Sequence, residues 1–145
     1  MTTATISAKG YTNEDGVLMS RYSIRCNDIP IAADKRPTND VQHVAVEQFG
    51  RISARSIGEI VAVIQALEAL TDASVSAVTD RVSIHVSTAL AWKILTQPVS
   101  TIAVHATHAR HCHEQIHTII DKLHKYMTVE VLRTKGTTVI DSRLI

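Results

Sequence analysis

Two cysteines, five glycines, three prolines and five aromatic residues are all that this chain of 145 residues holds of those types. Cys26 and Cys112 are too few and too isolated for a disulfide framework or a paired-cysteine metal site. With no charged segment leading into an apolar run at the amino terminus, a reducing, cytoplasmic setting is expected. Apolar runs are broken by Ser, Thr, His or charge well before they could span a bilayer, which excludes a membrane-crossing helix and a membrane partner. One Trp, one Phe and three Tyr leave little for a platform on which single-stranded bases could stack. The formal net charge is +1, which argues against a protein whose main task is to neutralise many phosphates.

What is present is apolar material, at 45% of the residues, enough for one continuous core without covalent staples. A single domain over 1–145 is expected. Charge is uneven along the chain. Residues 1–80 carry 7 Lys+Arg against 10 Asp+Glu, for −3, and residues 81–145 carry 8 against 4, for +4. Contacts with nucleic acid, if any, are therefore expected from Lys122, Lys125, Arg133, Lys135 and Arg143.

Residues 2–9 and 17–26 are rich in β-branched side chains and partly alternate, and Asp15-Gly16 between them signals a hairpin turn. Residues 27–40 hold Pro30 and Pro37 and are expected to be mostly loop, with a third strand over 41–49. Ile57, Ile60, Val61, Ile64, Leu67 and Leu70 recur at helical spacing and predict a helix facing a sheet. Both 74–78 and 82–86 have strand character, and propensity alone does not choose between them. A helical segment over 89–95 is stopped by Pro98. A long helix is expected from about Thr101 to Tyr126, a strand over 128–133, and a tail over 138–145 with room for a turn or two of helix. The order β-β-β-α-β-α-β predicts a mixed α/β sheet with helices packed on it.

Several short motifs stand in register with that order. Ile6-Ser7-Ala8-Lys9-Gly10 is an apolar stretch ending in Gly, Glu59 precedes an Ala-rich apolar run, Thr79-Asp80 follows the first strand candidate, and Asp141 lies near the carboxyl end before Leu144-Ile145. Together they resemble the ribonuclease H-like family, most of all ribonuclease HI. That resemblance implies a cluster of carboxylates holding two divalent ions, with Glu59, Asp80 and Asp141 as its catalytic acids and Mg²⁺ or Mn²⁺ as cofactor if the site is active. Here Lys9 stands where the family's first Asp is expected. A lysine there removes a ligand, adds positive charge at the metal position and would sooner pair with Glu59 and Asp80. The loop 135–138 also lacks the histidine many members carry. The resemblance thus implies a degenerate site with no bound metal. If 82–86 is the core strand, the fourth-strand position falls on Ser87 or Thr88 and the site is more degenerate still.

Simpler roles compete with the catalytic ones. Ser56-Ile57-Gly58-Glu59 has the form of a capping box at a helix start. Asp80 suits a turn or cap, Asp141 a last-turn cap, and Lys9 a solvent-facing position. Six histidines lie on or near the long helix; His113 and His117 have the i, i+4 spacing of a metal pair, with Asp121 continuing the row. Asp121 is about 12 Å from His113 along the axis, too far for one ion, so a solvated polar face is expected and no metal site is assigned. Protonating all eight histidines would raise the net charge from +1 to about +9 in mild acid.

Three functions remain open on these grounds. The first is a ribonuclease H-like domain associating with duplex, RNA–DNA hybrid or a nucleic-acid enzyme without two-metal catalysis. The second is an active, divergent nuclease. The third is a small α/β module that inhibits or scaffolds another protein.

Overall fold

The computed structural model describes residues 3–38, 54–72, 79–102, 107–133 and 136–139. The expected hairpin forms from β1 (Thr3–Thr12) and β2 (Leu18–Cys26). In its turn the Asn13 side-chain oxygen accepts from the amides of Asp15 and Val17, and Gly16 takes a φ of +76° that suits a residue without Cβ.

β3 (Ile29–Pro37) follows at once, where the sequence reads as loop. Asn27 and Asp28 have φ of 50° and 71°, and positive φ at both central residues is the backbone of a tight two-residue hairpin turn. The prolines are accommodated because β3 is an edge strand among the described residues, with a register shift opposite Ile24 and Arg25. The strand expected over 41–49 lies outside the described residues.

The first helix, α1 (Ala54–Asp72), buries Ile57, Ile60, Val63, Leu67 and Leu70. Val61 and Ile64, expected on the buried stripe, are only half-buried, because the stripe runs through Val63 and Ala66. At about 1.5–3 kcal/mol for each large side chain removed from water, those five contribute on the order of 10 kcal/mol.

Of the two candidates for the fourth strand, the second is the core one: β4 is Arg81–His85. Val82 and Ile84 are fully buried and pair with Ala4 and Ile6 of β1 on one side, and with Val129 and Val131 of β5 (Thr128–Arg133) on the other. Apolar residues at period two on three adjacent strands make one continuous layer. Val75, expected on a central strand, lies outside the described residues.

α2 (Ala89–Thr96) follows, then a 3-10 turn over Val99–Thr101. α3 (Thr107–His124) starts later than expected. Instead of a loop at 135–138, Gly136–Val139 forms β6, a hairpin partner of β5. The sheet order is β3-β2-β1-β4-β5-β6, with β1–β4 and β4–β5 parallel and the other pairs antiparallel. The helices pack on the face carrying Ala4, Ile6, Tyr22, Ile24, Val82, Ile84, Val129 and Val131.

Gly10 of β1 meets Gly58 of α1 with no side chain between them. A Cβ on Gly10 would stand 2.6 Å from the Glu59 amide nitrogen and 2.8 Å from the Gly58 Cα. Two glycines at that crossing bring the first turns of α1, with Arg55 and Glu59, down onto the sheet.

Candidate functional site

An open cleft of about 910 Å³ lies where the β1–β4 pairing ends, lined by residues of β1, β2, β3, α1 and the end of β4. Strand register explains what lines it. On the sheet face away from the helices, Lys9 of β1 stands opposite Arg21 of β2, and Arg21 stands opposite Lys35 of β3. The next row on that face is Ala33, Ser23, Ser7 and His85. Lys9, Arg21, Lys35, Arg55 and His85 are all exposed. The Arg21 guanidinium lies 5.7 Å from the Tyr11 ring centroid, which helps to hold it against the sheet. Asp34 is the carboxylate in the lining. It bonds Arg36 at 2.6 Å and the Lys35 amide, and the Arg36 guanidinium holds its carboxyl below the usual range.

Glu59 is fully buried, and its carboxylate is surrounded by donors. The amide and hydroxyl of Ser87 and the amide and hydroxyl of Thr88 all donate to it, at 2.7–3.1 Å. Thr88 is the N-cap of α2 and accepts from the Ala91 amide. A carboxylate from α1 thus sits at the amino end of α2, where the helix dipole favours negative charge. Arg55 donates to the Ser87 hydroxyl at 3.2 Å and closes the arrangement toward the cleft. Since α1 is already helical at Ala54, Glu59 lies in its second turn and the expected capping box is not formed.

The other expected site residues scatter. Asp80 precedes β4, whereas Ser87 and Thr88 follow it, so Asp80 and Glu59 are separated by the length of that strand, about 16 Å. The fourth-strand position therefore falls on Ser87 and Thr88. Asp141 lies outside the described residues, so no cluster of Glu59, Asp80 and Asp141 assembles among those described. Lys9 does not pair with Glu59 as expected. It points from the opposite face of β1 to the one on which Gly10 meets α1, and among the described residues it is in no ion pair. The donors that surround Glu59 and the cations that surround Lys9 do not fit a pair of divalent ions, and among the described residues no group of three or more metal-ligating side chains occurs.

The later cations do not form one patch. Lys122 and Lys125 are exposed near the end of α3, beside the start of β5. Arg133 is at the other end of β5, its guanidinium 5.8 Å from the Trp92 ring centroid. Lys135 and Arg143 lie outside the described residues. Sequence reasoning missed Arg21, Lys35 and Arg55, whose common location depends on a β2–β3 register hidden by the proline-rich stretch.

His113 and His117 are buried, contrary to the solvated face expected of them. Each donates from Nε2 at 2.8 Å to a carbonyl at the end of α2, His113 to Gln97 and His117 to Ile94, with ring centroids 4.1 Å apart. A carbonyl cannot donate, so Nε2 carries the proton in each ring. Burial pushes the pKa of both down, that of His117 to about 4.

No protein-family profile matches the chain, and neither does any curated protein. Among solved structures, the ribonuclease H1 of the halophilic archaeon Halobacterium salinarum NRC-1 superposes with a TM-score of 0.58, at 14% identity, over 92% of this chain and 87% of that one. An identity that low speaks to architecture alone: this chain has the ribonuclease H-like fold.

Proposed function

We propose that the chain acts as one ribonuclease H-like domain that associates with nucleic acid, duplex or RNA–DNA hybrid, and does not carry out two-metal hydrolysis. The observation that carries this reading is the charge of the cleft: Lys9, Arg21, Lys35 and Arg55 line it together, and Lys9 stands where the family resemblance calls for the first Asp. At equal distance, one lysine amine repels a divalent ion about twice as strongly as it attracts a carboxylate. Glu59 has its acceptor capacity taken by Ser87 and Thr88. Arg133, Lys122 and Lys125, with Lys135 and Arg143, supply outlying contacts. Two free cysteines agree with a reducing cytoplasm, and among the described residues no helix is long and apolar enough to cross a membrane.

The test is calorimetric titration of Mg²⁺ and Mn²⁺ together with cleavage of a labelled RNA–DNA hybrid. Wild type is expected to bind neither metal measurably and to leave the hybrid intact, while Lys9→Asp gains some metal affinity. Robust metal-dependent cleavage by wild type, abolished by Glu59→Gln, would overturn the reading in favour of an active nuclease. A protein partner is the second reading, favoured by the edge strand β3, where Ile29 and Ile31 are 66% and 40% exposed. It gains if no nucleic acid binds even at low salt.

A further inference from the structure

The row Lys9, Arg21, Lys35 is a physical anomaly that a ligand resolves. Like charges directly opposite one another on neighbouring strands destabilise a sheet, and here three occupy one row across three strands. Surface acids could have neutralised them. The described acids of the first 80 residues are instead placed elsewhere, Asp80 among them, ahead of β4. Glu14 and Asp15 are in the β1–β2 turn and Asp28 in the β2–β3 turn. Asp34 is paired with Arg36, Glu59 is buried under α2, and Glu68 is far along α1. Neutral donors stand beside the row instead, the hydroxyls of Ser7 and Ser23 opposite each other and Ser87 at the rim with Arg55.

With neighbouring strands about 4.8 Å apart, the row spans about 10 Å. One strand of a duplex presents a phosphate about every 3.4 Å along its axis, so such a row can meet two or three successive phosphates. Arginine offers a planar fork to phosphate oxygens and lysine a mobile point charge, so the mixed row suits a chain of phosphates better than a single fixed carboxylate.

We infer that Lys9, Arg21 and Lys35, with Arg55 at the rim, bind the backbone phosphates of a nucleic-acid strand directly, cation to phosphate, with no metal ion between them. This rests on the nucleic-acid reading above and adds the site and its mode of contact. Sequence selectivity is not expected of it, since phosphate contacts position a strand without reading its bases.

The experiment is fluorescence-anisotropy titration of short labelled single strand, duplex and RNA–DNA hybrid in EDTA at low salt. The variants are the triple Lys9→Gln/Arg21→Gln/Lys35→Gln, the charge-keeping Lys9→Arg/Lys35→Arg, and the control Lys93→Gln, which removes an exposed cation on α2. Amide spectra with inorganic pyrophosphate as the probe supply a local readout. All the substituted side chains are exposed, and unfolding midpoints confirm that each variant is folded. The triple variant is expected to lose affinity by about tenfold or more and to flatten the salt dependence by about one unit of slope per cation removed, with the charge-keeping variant near wild type and the control little changed. Pyrophosphate is expected to shift amides of Ser7, Lys9, Arg21 and Ser23. Wild-type affinity in the triple variant, or an equal loss in the control, overturns the assignment of the site while leaving nucleic-acid association standing. Absence of binding by wild type at low salt overturns both.

Discussion

Glu59 shows how far the surroundings of one residue are set by partners distant in the sequence. Its position at the start of the crossover helix is legible in the sequence, from its spacing ahead of the Ala-rich stripe. Its partners are not, because Ser87 and Thr88 are 28 and 29 residues away and become neighbours only when β4 is Arg81–His85. Hydrogen bonds to a buried charged group are worth about 1.5–3 kcal/mol each in mutational series, and a buried donor left unpaired costs a similar amount. Glu59→Gln turns an amide toward a ring of donors, so it is expected to destabilise the protein by about 2 kcal/mol or more, read as a lowered urea midpoint. An unchanged midpoint would mean that the Ser87 and Thr88 donors find water as readily. Gly10 makes a second prediction of the same kind. Its Cβ would press on the backbone of α1, and backbone cannot swing aside, so Gly10→Ala is expected to cost about 1–3 kcal/mol, whereas Ala at Gly16, open on all sides, would cost through its positive φ alone.

At the level of elements, helices were easier to read than strands because their buried stripes repeat locally, while strands were decided by their neighbours. β3 was hidden by its prolines, which an edge strand tolerates, and by a two-residue turn of Asn and Asp rather than Asn-Gly. β4 was settled by matching Val82 and Ile84 against two flanking strands, a long-range condition that no window of sequence contains. The α2–α3 junction has its own signature. His113 and His117 each donate a hydrogen bond to a carbonyl at the end of α2, where helix carbonyls lack partners, and each must be neutral to stay buried without repelling the other. The folded pKa of His117, about 4, lies below the ordinary 6.5. Between those values the unfolded chain binds the extra proton, so stability is full above about pH 6.5 and falls as the pH drops toward 4. The loss for His117 alone is on the order of 3 kcal/mol, with His113 adding in the same direction. Urea unfolding at neutral pH and near pH 4.5 measures it. A His117→Gln variant should be less stable at neutral pH and show a shallower fall; the same fall in both would place the titrating group elsewhere. The picture of eight histidines charging together in mild acid gives way to one in which these two resist.

Over the whole molecule, charge counted along the chain and charge counted over the surface give opposite answers. The first 80 residues carry −3 in sequence, yet they contribute Lys9, Arg21, Lys35 and Arg55 to a single cleft, because the sheet sorts side chains by face and register while most of the described acids go to turns, to an ion pair, to the core or far along α1. A net charge of only +1, which argues against a protein whose main task is to neutralise many phosphates, is thus compatible with one strongly basic surface. If four cations in the cleft each displace counterions from a bound strand, the logarithm of the affinity should fall against the logarithm of salt with a slope of about −3 to −4. Raising monovalent salt from about 50 mM to about 200 mM should then weaken binding by about a hundredfold. Mg²⁺ should act only as a competing counterion and weaken binding further, for hybrid, duplex and single strand alike. Titrations of wild type across that range, with EDTA and with Mg²⁺, decide it. A shallow slope, or binding that strengthens when Mg²⁺ is added, would show that the strand is held through something other than the cations of this cleft.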